Sequence, residues 1–191
     1  PFQAEEIHGP FSHFEKDGVF VSDLPTYTWE NIQADGVITA VFESKTWYVD
    51  DDQNGDGSSW EAALQSIQAA VDEAVDGDTI LVNDGTYNPI WTENKAITIR
   101  SVNGVQKTLI DGAGIERCAT LGDDSSDHQT ILDGFTLQNG FAEEGGGAYG
   151  GTLTNCTLTG NQAESDGGGA YGGMLTNCTL TGNQAESDGG G

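Results

Sequence analysis

Basic residues are scarce in this chain: six of its 191 residues are Lys or Arg against 31 Asp and Glu, for a formal net charge of −25. None of the six follows Arg117, whereas ten acidic residues do. A surface of that sign repels nucleic acid and anionic lipid, and it suits solvated extracellular surroundings and divalent cations. Cysteine is sparse too. Cys118, Cys156 and Cys178 include no Cys-x-x-Cys pair, and the three histidines, His8, His13 and His128, are scattered, which leaves a zinc or dithiol site without a ligand pattern. No apolar run is long enough to span a bilayer, so no membrane insertion is expected of this segment. Nor does a secretory leader open the chain, which begins at Pro1 and reads as a processed or truncated piece. Apolar residues are 36% of the total, lean but sufficient for a thin β core.

What the chain does have is repetition. GGGAYGGTLTNCTLTGNQAESD at Gly145–Asp166 is followed without a gap by GGGAYGGMLTNCTLTGNQAESD at Gly167–Asp188, and a third copy opens at Gly189. Thr152 becoming Met174 is the one change. A fixed 22-residue period marks a solenoid in which each copy is one coil stacked on the last. Within a copy, short alternating runs of Thr, Leu, Cys and Ala between Gly and Asn predict strands and turns. Period-two alternation turns Leu153, Cys156 and Leu158 inward and Thr157 and Thr159 outward. The next coil repeats this with Leu175, Cys178 and Leu180 inside and Thr179 and Thr181 outside. Like residues then form ladders: Leu158 on Leu180, Cys156 on Cys178, Tyr149 on Tyr171, and Asn155 on Asn177 inside a bend, since Asn tolerates the left-handed conformation. Cys156 and Cys178 are expected to be a buried, reduced pair; a disulfide between them is compatible in distance and awkward in geometry.

Earlier, looser coils are expected. Leu132–Gln138 aligns with Leu153–Thr159 at an offset of 21, which puts Phe135 in the cysteine position; Ala96–Ile99, Thr108–Gly112, Cys118–Leu121 and Thr79–Val82 read as strands of preceding coils. The solenoid is thus predicted over residues 46–191. Its head needs a cover, because open strand edges invite aggregation. Apolar positions Ala63, Leu64, Ile67, Ala70, Val71 and Ala74 recur at helical spacing and predict a cap helix over about 60–75, with Ser58 or Ser59 as N-cap and Asp76-Gly77-Asp78 ending it. The loop before it places Asp50, Asp52, Asn54, Asp56 and Glu61 around Gly55 in the alternating oxygen pattern that Ca²⁺ prefers, a candidate structural calcium site; the same residues also make an ordinary solvated turn. Residues 1–45 differ in texture. Short alternating runs Val19–Val21, Tyr27–Trp29 and Val37–Phe42, split by turns at Asp17-Gly18, Leu24-Pro25 and Asp35-Gly36, predict part of a separate small β module.

Three segments resemble known bacterial surface families. Asp17–Phe42 is similar to the end of the internalin-B-type bacterial repeat. Trp47–Tyr87 resembles the N-terminal cap and first coil of right-handed parallel β-helix proteins. LDGFTLQNG, GGGAYGG and LTNCTLTGN resemble the repeats of chlamydial polymorphic outer-membrane proteins, with Cys156 and Cys178 where that family usually has Phe. The resemblance implies an all-β fold, a right-handed parallel β-helix of about 22 residues per coil, on an extracellular or cell-surface protein. Three function classes follow. The first is a non-catalytic structural or adhesive rod, self-associating end to end into a filament or binding cell-surface components. The second is a lyase or hydrolase of acidic polysaccharides, which the repeats serve poorly because they carry acids but no Lys or Arg. The third is ice binding through the outward rows Thr157, Thr159, Thr179 and Thr181.

Overall fold

The computed structural model describes residues 2–3, 11–24, 26–28, 36–122 and 130–190. From Thr46 onward the chain winds as a parallel β-helix, with the right-handed sense that parallel crossover connections take. Three long ladders form its faces. Face 1 stacks Thr46–Val49, Thr79–Val82, Thr98–Ser101, Ile131–Asp133, Thr152–Thr154 and Met174–Thr176. Face 2 stacks Gly85–Tyr87, Thr108–Asp111, Thr136–Gln138, Thr157–Thr159 and Thr179–Thr181. Face 3 stacks Ile90–Trp91, Ala119–Thr120, Ala148–Tyr149 and Ala170–Tyr171. A short fourth ladder joins Phe141–Ala142, Gln162–Ala163 and Gln184–Ala185.

The core follows from the alternation. On face 1 the inward column runs Trp47, Ile80, Ile99, Leu132, Leu153, Leu175; on face 2 it runs Tyr87, Ile110, Leu137, Leu158, Leu180. Face 3 begins with Ile90 and then takes the small residues Ala119, Ala148 and Ala170. Phe135 fills the corner that Cys156 occupies one coil later, and both are buried. Each fully buried Leu or Ile contributes about 1.5–3 kcal/mol, so these columns carry the stability. Leu132 pairs with Leu153, the offset of 21 that the alignment predicts.

The head differs from the sequence expectation. One continuous helix over 60–75 does not form; Trp60–Ala62 is a single 3-10 turn and α1 covers only Ile67–Glu73. Ser59 precedes the 3-10 turn without a side-chain cap bond, and the true N-cap is Ser66, whose hydroxyl accepts from Ala69 N at 3.1 Å. Ala63 and Leu64 follow the helical period by accident. They lie extended, and Leu64 bridges the outermost strand: Leu64 N donates to Tyr48 O and Asp50 N to Leu64 O, both at 2.9 Å. α1 then lays Ile67, Ala70, Val71 and the following Ala74 on the first coil. It ends at Ala74, before the Asp76-Gly77-Asp78 stop.

Asp78 is the tie between head and coil. It is 1% exposed, yet its carboxylate accepts from Lys45 N at 2.7 Å, Trp47 Nε1 at 3.0 Å and Val75 N at 3.1 Å. Three donors satisfy the buried charge.

The N-terminal module is a three-stranded antiparallel sheet with Phe11–Lys16 between Val19–Ser22 and Ile38–Phe42. Asp17 and Gly18, at φ 53° and 79°, make the tight turn that the Asp-Gly pair predicts. The central strand Phe11–Lys16 falls within the expected module but is not among the runs read as strands, because Phe11–His13 lacks clear alternation. Phe2–Gln3 pairs with Thr26–Tyr27. Trp29, Pro25 and Asp35, and with them part of the expected second strand and two turns, lie outside the described residues.

Candidate functional site

Two asparagine ladders run along the solenoid. Asn155 and Asn177 adopt φ of 52° and 54°, as a corner residue should, and Asn177 Nδ2 donates to Asn155 Oδ1 at 2.6 Å. Both are exposed, so this ladder lines the outside of the corner rather than its interior. It continues upstream as Asn155 Nδ2 to Asp133 Oδ1 at 2.8 Å and Arg100 Nε to Asp133 Oδ2 at 2.9 Å. The interior ladder is Asn161 and Asn183, which sequence reasoning missed. Asn161 Oδ1 accepts from Gly140 N at 2.8 Å, Asn161 Nδ2 donates to Leu137 O and to Asn183 Oδ1, and Asn183 Nδ2 donates to Leu158 O. The available signal was Gly160-Asn161, a Gly and an amide directly after the Thr-Leu-Thr strand in both copies. Among the described residues no buried side-chain nitrogen or oxygen lacks a partner.

Tyr149 and Tyr171 stack with ring centroids 5.6 Å apart, as the repeat predicts. The same column holds Thr120 and Trp91 in the two preceding coils. Thr120 is too small to continue the stack, and Arg117 takes the place: its guanidinium carbon lies 4.8 Å from the Tyr149 centroid. Its nitrogens donate to Thr120 Oγ1, Glu144 O and Gly145 O. Burial pulls the guanidinium below the ordinary arginine value. Arg117 is therefore committed to the wall and not poised for chemistry.

Beside it opens a hollow of about 460 Å³, lined by Gln68, Ile90, Trp91, Glu116, Arg117 and Thr120. Trp91 is 59% exposed at its edge. Gln68 holds that strand from outside as a neighbouring strand would: Oε1 accepts from Trp91 N at 2.9 Å and Nε2 donates to Trp91 O at 3.1 Å.

The acidic loop is arranged differently from the pattern read in the sequence. Asp50, Asp51 and Asp52 bring carboxylate oxygens within 4.8 Å of one another, whereas Asp56 and Glu61 stand apart from them and Asn54 is exposed. Asp56 accepts from Ser58 N and Oγ, and these bonds lower its pKa. Asp50 accepts from Asp52 N at 3.1 Å and Asn83 Nδ2 at 2.8 Å. Backbone packing displaces the set: Gly55 N and Gly57 N donate to Ala63 O and Ala62 O, and a Cβ on Gly55 would strike Ala62. The loop wraps the 3-10 turn, with Asp50, Asp51 and Asp52 clustered at its start. Asp51, absent from the pattern, lies against Gly85 and Tyr87, and burial followed by Asp51 and Asp50 pushes the Tyr87 phenol well above its ordinary value.

Thr157 pairs with Thr179 and Thr159 with Thr181, giving two outward rows. The rows end there. Upstream positions are Thr136, buried and bonded to Val105 O, and Gln138, bonded to Asp111. The three cysteines are free, Cys118 and Cys156 buried and Cys178 half-buried. Burial pushes the Cys118 thiol up to about 12.

No family model matches the chain, and no curated protein does. Among solved structures it is similar to a pectin methylesterase mutant in complex with a hexasaccharide, at 11% identity and a TM-score of 0.46, over 75% of this chain and 53% of that one. This chain thus spans about half the length of that protein. The likeness is one of chain course, and no residue role is carried across from it. No helix among the described residues is long and apolar enough to cross a membrane.

Proposed function

We propose that this chain is a non-catalytic extracellular β-solenoid, a rigid structural or adhesive element of a bacterial surface protein. One observation carries the reading: the asparagine and tyrosine side chains of the repeats are taken up by their own copies. Asn155 bonds Asn177, Asn161 bonds Asn183, and Tyr149 stacks on Tyr171. A catalytic site needs a unique constellation of groups left free to meet substrate, and repetition in register supplies the opposite. Charge supports the setting, since −25 with every Lys and Arg at or before residue 117 favours a solvated outer surface. A structural Ca²⁺ belongs to the same reading, held at Asp50–Asp52.

Immunogold labelling of cells producing the protein, together with electron microscopy of the purified chain, tests this. Surface decoration or fibres are expected. Release of reducing ends or unsaturated products from a panel of neutral and uronate polysaccharides would replace the structural reading with an enzymatic one. Thermal hysteresis by the purified chain would instead transfer the function to the threonine rows.

A further inference from the structure

We propose that Cys156 and Cys178 are an oxidisable pair, closed by a low-molecular-weight disulfide of the glutathione type into a covalent staple between adjacent coils. The two occupy one position in successive turns, because the flanking pairs Thr154 with Thr176 and Thr157 with Thr179 are in register. Strand spacing therefore separates their Cα atoms by roughly 4.8 Å, inside the window of about 4.4–6.8 Å that a disulfide spans. Each follows a left-handed Asn at the corner between faces 1 and 2 and lies outside the regular strands. A disulfide needs Cβ atoms about 3.5–4.5 Å apart, so closure draws the two together at a corner outside the regular strands. The thiols already point alike: each sulfur lies against the carbonyl two residues back, Cys156 on Thr154 O at 3.2 Å and Cys178 on Thr176 O at 3.4 Å.

Reactivity divides between them by burial. Cys178 is half-buried and reachable, while Cys156 is 2% exposed. The Cys156 thiol favours the Cys178 thiolate by hydrogen bonding, and the same contact, with burial, disfavours ionisation of Cys156. The thiolate is the nucleophile. Cys178 attacks one sulfur of glutathione disulfide, forming a mixed disulfide and expelling one glutathione thiolate. Cys156 then loses its proton to solvent and attacks the Cys178 sulfur, expelling the second. Two protein thiols are oxidised and one glutathione disulfide is reduced to two thiols. Cys118 lies elsewhere, with its sulfur on Gln138 O at 3.2 Å and its thiol pushed up to about 12, so it serves as an internal control.

The test is to incubate the reduced chain with glutathione disulfide at mildly alkaline pH, alkylate, and map it by mass spectrometry. Alkylatable thiols should fall from three to one, with Cys118 the residue still modified and the intact mass lower by two hydrogens before alkylation. The oxidised form should melt roughly 5 °C or more above the reduced one, and dithiothreitol should reverse this. Cys156→Ser should halt at glutathione on Cys178, and Cys118→Ser should cross-link as the native chain does. Three alkylatable thiols after treatment, glutathione retained on native Cys178, or a Cys178-to-Cys178 dimer would each overturn the proposal.

Discussion

At the scale of single residues, polar groups in the interior matter more than their counterparts outside. Replacing Asp78 by Ala strands the Trp47 indole N–H and two backbone donors in the interior; we expect a loss of about 2–4 kcal/mol in urea denaturation. The two asparagine ladders should separate in the same assay. Asn161→Ala leaves Gly140 N without its acceptor and removes the amide bond to Leu137 O, and should cost about 2–3 kcal/mol, whereas exposed Asn155→Gly keeps the positive φ and should cost under about 0.5 kcal/mol. Asp111 gives a pH signature. Bonds from Gln138, Ala113 N and Asn139 hold its pKa below the ordinary value. A depressed carboxylate stabilises the fold above its unfolded pKa of about 3.9, and that contribution disappears as pH falls through the lower folded value. Asp111→Asn should therefore weaken the fall in stability on acidification below about pH 4, measured by urea midpoints across pH.

At the scale of elements, legibility tracked periodicity. Thr79–Val82, the offset of 21 at Leu132, and the Leu, Tyr and Cys columns were readable because a strand alternates with period two and each copy repeats its neighbour. Ala63 and Leu64 misled because burial in an edge bridge mimics burial on a helix face, and period alone does not separate them. The acidic loop was legible only in part. A ligand pattern gives the order of oxygens but not the packing of Gly55 on Ala62, which decides where the loop goes. Arg117 was unreadable, since its stacking partner Tyr149 lies in the next coil, 32 residues on and outside the exact repeat period. Elements also show how the head avoids open edges: backbone from Gly57 and Leu64 covers the first strand of face 1, and the Gln68 amide covers that of face 3. Gln68→Ala should speed amide hydrogen exchange at Trp91 by at least about tenfold, in line with one lost bond of roughly 1.4 kcal/mol.

For the molecule as a whole, stability is a sum of coils and coil-to-coil contacts. Insertion of a further GGGAYGGTLTNCTLTGNQAESD after Asp166 should raise the melting temperature and leave the other coils unchanged, as read by calorimetry and by the retained exchange protection of face 1. Chelation provides a second global measurement: a structural Ca²⁺ at Asp50–Asp52 should give a lower melting temperature in EGTA, and the Asp50→Asn variant should abolish that difference.

The near identity of the two copies, which differ only at Thr152 and Met174, has a kinetic side. A strand arriving at the growing stack meets a landing site that fits its twin almost equally well, so the folding chain can skip a turn and bulge out 22 residues with Met174 in place of Thr152 as the one mismatched side chain. Fidelity must then come from the order of events, with the sealed head nucleating first and later turns zipping on one after another.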